Sequence, residues 1–237
     1  MIAWEGLFVG ITAFGIIILS VIFGLISLNK ARKLKLKLRL NLLSFSALTM
    51  FFVGFLWLGP TVDFFLVLFT GNNIDPSVIY VLLNYMWVTP ALFFASYLGG
   101  VILIPKYKWA LVGIFLIISI LFELFLWFAP WESFGNIIVV QRKDGLIDAS
   151  FDITFPTFTL FISFIISAFI LLSIGFAAKA RISIGLLRKK FIYLSIGFSI
   201  FLICLILDSI TTIPIIVGFI RLTMMTFPIF MIMGLKT

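Results

Sequence analysis

The chain has 237 residues, 63% of them hydrophobic and 11% charged, with a formal net charge of +8. Soluble domains are about 45–50% apolar and about 25% charged, so this composition excludes a soluble globular domain and describes an integral membrane protein. There is no histidine and a single cysteine, which excludes His-ligated haem, zinc and di-iron centres, Ser–His and Cys–His nucleophile pairs, and any internal disulfide, unless another chain supplies the missing group.

A hydrocarbon core of about 30 Å needs roughly 20 apolar residues in helix. Seven segments meet that requirement, at about 2–28, 41–59, 77–103, 109–129, 156–178, 191–212 and 213–235. The expected fold is an all-α membrane protein, one domain of seven transmembrane helices. The first segment carries Glu5 in place of a basic cluster and is too long for a cleaved leader.

The connections alternate in charge. Lys30, Arg32, Lys33, Lys35, Lys37 and Arg39 lie between spans one and two, Lys106 and Lys108 between three and four, and Lys179, Arg181, Arg188, Lys189 and Lys190 between five and six, with Lys236 at the end. The other connections hold Asp63, Asp75, Glu132, Asp144, Asp148 and Asp152, with Arg142 and Lys143 as their basic residues. The positive-inside rule then expects the N-terminus outside and the C-terminus inside. Trp4, Trp57, Trp127 and Trp131 are expected as anchors at the outer boundary, and Tyr107, Trp109 and Tyr193 at the inner one.

Pro60, Pro105, Pro130, Pro156 and Pro214 fall at expected helix ends, where a missing N–H costs little. Pro90 and Pro228 fall inside spans three and seven and are expected to kink them as hinges. The alternating run Lys33-Leu34-Lys35-Leu36-Lys37-Leu38-Arg39-Leu40 is expected at anionic headgroups, and with Arg188, Lys189 and Lys190 it offers a contact for anionic lipid or a cytoplasmic partner. Plain orientation charge accounts for the same residues, and nothing in them argues for nucleic acid. In the third external loop, residues 137–147 read as a short hairpin with Asp144-Gly145 as a two-residue turn, either a lid over the outer mouth or a simple connector.

Lys30-Ala31-Arg32 and Lys179-Ala180-Arg181 stand at an offset of 149, which also relates Arg39 to Arg188 and Ser46 to Ser195. Two parallel three-helix repeats joined by a linker helix would give this layout, although positive-inside alone produces part of it.

Ionisable groups within a span are expensive and point to function. Glu123, Asp208 and Arg221 qualify, and Asn84 joins them. At about 1.5 Å per residue, Asp208 lies roughly 6 Å, Glu123 roughly 9 Å, Asn84 roughly 10 Å and Arg221 roughly 12 Å below the outer boundary. Asp208 is the nearer counter-ion for Arg221 across a tight turn between spans six and seven. One reading is a structural ion pair with Glu123 reaching to the interface. The other is an outward-opening ligand pocket of Asn84, Trp87, Glu123, Asp208 and Arg221, with Tyr80, Asn84 and Trp87 at helical spacing on one face of span three.

Asn84-Tyr85-Met86-Trp87-Val88-Thr89-Pro90 resembles the third-helix signature of microbial rhodopsins, with Asn84 in place of the acid. Span seven has no lysine before Lys236, so retinal chemistry is rejected. G-protein-coupled receptor and sugar-transporter signatures are absent. In span count, orientation and loop charge the whole chain resembles the seven-helix N-terminal input regions of prokaryotic sensor histidine kinases. That resemblance implies a sensor whose signal, with no output domain after Thr237, passes to a separate protein through the basic loops. The expectation is a stand-alone sensor or receptor-like protein of the cell membrane, not an enzyme and without cofactor or metal, that binds a small or lipidic ligand. The alternatives are a small-solute or ion transporter and a structural subunit of a membrane complex.

Overall fold

A computed structural model describes residues 2–33, 37–135, 140–141 and 145–235. It is almost entirely helical. Among the described residues six helical segments are long and apolar enough to cross a membrane, or seven where a bent pair of helices is counted as one span; the numbering below counts that pair as span two. The chain is therefore an integral, multi-pass membrane protein.

The first span is α1 (Trp4–Arg32), unbroken. The second begins as α2 (Lys37–Phe55), and the helical path runs on past residue 59. It continues as α3 (Leu58–Thr70) after a bend of 45°. Span three is α4 (Val78–Tyr85) followed by α5 (Val88–Leu103). A 3-10 turn then leads into α6 (Lys108–Phe128) and the single turn α7 (Pro130–Ser133). Span five is α8 (Pro156–Ala168), a π-helical stretch over Phe169–Ile174 and α9 (Gly175–Arg181). Span six is α10 (Gly185–Ile210), and span seven is α11 (Pro214–Met224) with α12 (Phe227–Leu235).

The three helix breaks have one cause. Each falls just ahead of a proline that is the second or third residue of the next helix: Pro60 in α3, Pro90 in α5 and Pro228 in α12. A proline ring gives up its own N–H and crowds the carbonyl four residues back, here Leu56, Met86 and Met224, which lie at the break or one residue before it. Pro60 is thus a break inside a longer helical path rather than its end. The break also turns Trp57 inward. It is 3% exposed, edge-on to Phe201, and does not anchor the boundary. Trp4, Tyr107, Trp109, Trp127 and Trp131 are exposed as anchors should be.

In lipid the helices gain little from apolar burial alone, and close approach through small residues takes over. Gly54 on α2 lies so close to Ser20 of α1 that a Cβ there would stand 2.5 Å from the Ser20 Cβ. At Gly59, a Cβ would stand 2.5 Å from the Tyr80 carbonyl, which brings α3 hard against α4. Large aliphatics face outward along every span, among them Ile11, Ile22, Ile117, Ile170 and Ile203.

A small hairpin pairs β1 (Val140–Gln141) with β2 (Ile147–Asp148), Val140 opposite Asp148 and Gln141 opposite Ile147. This register differs by one residue from that of a two-residue Asp144-Gly145 turn, which would set Gln141 opposite Asp148. The odd-numbered loop places Gly145 at φ 88°, a left-handed conformation suited to glycine. Ile137–Val139, Arg142–Asp144, Leu34–Leu36 with Lys35, and Lys236 lie outside the described residues. Of the alternating basic run, Lys33 closes α1, and residues 37–40 are already helical in α2.

Asp63 anchors the hairpin. It sits on α3, fully buried, and its carboxylate accepts the Ile74 and Ile147 amides, both at 3.0 Å, and the Asn73 Nδ2 at 3.2 Å. Asn73 also donates to the Gly145 carbonyl. Before α8, Asp152 accepts the Thr154 hydroxyl at 2.7 Å and its amide at 2.8 Å, and these two bonds hold the Asp152 carboxyl below the usual carboxylate range.

Candidate functional site

Two features build the site: a tight turn at 211–213 sets α10 beside α11, and the hairpin is tied to α3 through Asp63. Between them lies a cavity of about 540 Å3, a size that suits a small organic ligand. It is lined in part by Glu5 in the first turn of α1, by residues 148–150 at and just after the end of β2, and by the turn after α10. The basic ends of α1 and α9 and the basic start of α10 lie at the opposite end of the bundle.

One wall is polar. Arg221 is 4% exposed, and its Nε donates to Asp208 Oδ1 at 3.1 Å, with Nη2 reaching Oδ2 at 3.5 Å; Asp208 is 13% exposed. A third guanidinium nitrogen, Nη1, reaches the Val9 carbonyl of α1 at 3.5 Å. Arg221 therefore joins α1, α10 and α11. Glu5, Asn84, Asp148, Ser150, Ser209, Thr211 and Thr212 complete the non-aromatic polar lining. The facing wall is aromatic, made by Trp57, Tyr80, Tyr85 and Phe161. Tyr85 packs against Phe134, Phe151 and Phe161, which fixes its ring from behind. Asn84 Oδ1 is buried with no hydrogen-bond partner among the described residues.

Of the residues singled out from the sequence, Asn84, Asp208 and Arg221 line this cavity together, and Trp87 and Glu123 do not. The break at 86–87 explains Trp87. Tyr80 and Asn84 share α4, but Trp87 stands past its end, so the seven-residue spacing no longer keeps one face. Its ring packs on Phe52 and Phe55 instead. Glu123 is half-buried on α6, where Trp127 Nε1 donates to its Oε2 at 3.1 Å. One turn away, Thr89 of α5 donates to the Ser119 carbonyl, so this second polar cluster ties α5 to α6.

Glu5, Tyr85, Asp148 and Trp57 are cavity residues that the sequence does not single out as such. Glu5 reads as an ordinary terminal charge and Asp148 as a loop charge. Only the folded hairpin brings them to one cavity. Among the described residues no group of three or more His, Cys, Asp or Glu is placed to hold a metal ion. Comparison with known proteins adds nothing to this geometry: no family model, no curated protein and no solved structure matches the chain.

Proposed function

We propose that this chain is a receptor-like, seven-span protein of the cell membrane, with its N-terminus outside and its C-terminus inside, that binds a small or lipidic ligand in the cavity beside Arg221. It carries out no chemistry on that ligand. The observation that carries this reading is the cavity itself, which joins an aromatic wall to a buried guanidinium shared among three helices. A ligand acid or hydrogen-bond acceptor that competes with Asp208 for Arg221 changes how α1, α10 and α11 are tied together. The breaks ahead of Pro90 and Pro228 let such a change pass along spans three and seven toward the basic loops, where a cytoplasmic partner would read it.

A transporter is the second reading, favoured by one specific observation. The third span of each half, α4–α5 and α11–α12, is discontinuous ahead of its proline, and paired broken helices near a central site are characteristic of alternating-access carriers.

One experiment separates the two. With Cys204→Ser as background, Asn84→Cys is titrated with a membrane-impermeant thiol reagent from each face separately. Labelling from the outer face alone, slowed by bound ligand, is the expected result for a receptor. Labelling from both faces overturns the receptor in favour of the transporter. Labelling from neither overturns both and leaves a packed structural subunit.

A further inference from the structure

We infer that the chain carries a second binding site, for one anionic phospholipid, in a notch between α9 and α10 at the basic end of the bundle. The notch has a volume of about 210 Å3, with Arg181 and Arg188 at its rim and Ala177, Ala180, Ile192 and Ile196 within it. Ser195 also lines it, but its hydroxyl is already given to the Ser173 carbonyl at 2.8 Å. Neither guanidinium has an ion pair or hydrogen bond among the described residues. Two exposed arginines lining one small recess offer paired guanidinium donors of the kind that hold a phosphate.

The rest of the site selects a lipid over a free phosphate. The small residues Ala177 and Ala180 open the recess, and Ile192 and Ile196 continue from it along the outward face of α10 toward Ile203, giving an acyl chain a path into the hydrocarbon. The connection beyond the arginines is apolar where an aqueous loop would be polar: Ile182, Ile184 and Leu186 are exposed, Ile184 at 88%. Aliphatic tips interleaved with cations fit a bilayer interface, each basic residue contributing attraction to anionic headgroups. Lys179, Lys189 and Lys190 add positive charge around the notch, so a headgroup carrying its own ammonium is disfavoured and a net-negative one is held.

Native mass spectrometry of the delipidated chain in detergent tests this, with phosphatidylglycerol, phosphatidylcholine or soluble glycerol 3-phosphate as the added probe. The expected result is one retained phosphatidylglycerol, preferred over phosphatidylcholine by on the order of tenfold or more and not displaced by equimolar glycerol 3-phosphate. Arg181→Gln with Arg188→Gln abolishes that preference, and Lys189→Gln with Lys190→Gln, which removes the same charge, leaves most of it. Ala177→Leu fills the recess with every charge intact and also abolishes retention, so the idea remains testable if the arginine variant does not fold. Equal loss in the arginine and lysine variants, retention unchanged in Ala177→Leu, equal retention of phosphatidylcholine, or displacement by glycerol 3-phosphate would each overturn it.

Discussion

A guanidinium inside an apolar bundle persists only while its partner stays beside it, because the cost of an unpaired buried charge exceeds that of losing a pair. Arg221 and Asp208 meet this condition at 3.1 Å. Arg221→Gln or Asp208→Asn alone should cost about 3–5 kcal/mol, read as a fall in thermal stability in detergent. Arg221→Met combined with Asp208→Leu should recover most of that loss while abolishing ligand protection of Asn84→Cys. Single variants as stable as the parent would sink the idea that the pair holds α10 to α11. This pairing was legible in the sequence because thirteen residues and one tight turn leave the two side chains few other places to go. Glu123 was not, since counting residues gives a side chain's depth in the membrane but says nothing of the direction around the helix axis in which it points. Its neighbours proved to be Trp127 and the α5 face rather than the cavity.

At the scale of elements, the prolines were readable and their consequences only partly so. Pro90 and Pro228 interrupt their spans as expected from their positions, and Pro60 does the same to span two, where an apolar run from Phe64 to Phe69 continues well beyond it. Stopping the span at Pro60 hid α3 and, with it, the role of Asp63. A carboxylate that accepts two buried backbone amides and a part-buried side-chain amide is the tether of the hairpin. Asp63→Asn replaces an acceptor with an NH2 that faces donors, leaving at least one amide unsatisfied, at a cost of about 1–3 kcal/mol. The Ile147 amide should then exchange with solvent at least tenfold faster, and proteolysis should begin within 140–150. An unchanged exchange rate at Ile147 would show that the hairpin is held by something else.

For the molecule as a whole, positive charge is gathered at one end. The cavity lining collects Glu5 and Asp148, and the basic end carries Lys30, Arg32, Arg181 and Arg188. This polarity was fully legible, since loop charge needs no knowledge of packing. The cavity was not, because its lining comes from seven separated stretches of chain that only tertiary folding unites. The proposed orientation makes a direct prediction in a Cys204→Ser background. In intact cells Asn72→Cys, after α3, should react with an impermeant maleimide, and Ile184→Cys should react only once the membrane is opened. Both positions reacting from one side would overturn the orientation and the odd number of spans together.

The π-helical stretch at Phe169–Ile174 acts at a distance from where it lies. One extra residue in a wide turn advances everything after it by about 100° around the helix axis. The direction in which Arg181 and Ala177 face is therefore decided within those six residues, about two turns before the basic end of α9 is reached. The same loosened backbone presents the Ser173 carbonyl to Ser195 of α10, so the angular setting is latched to the neighbouring helix. Shortening this stretch by one residue would leave composition, charge and span length nearly untouched, yet would turn the end of α9 away from Arg188. In this chain an inserted residue works as a dial, with the hydroxyl of Ser195 as its stop.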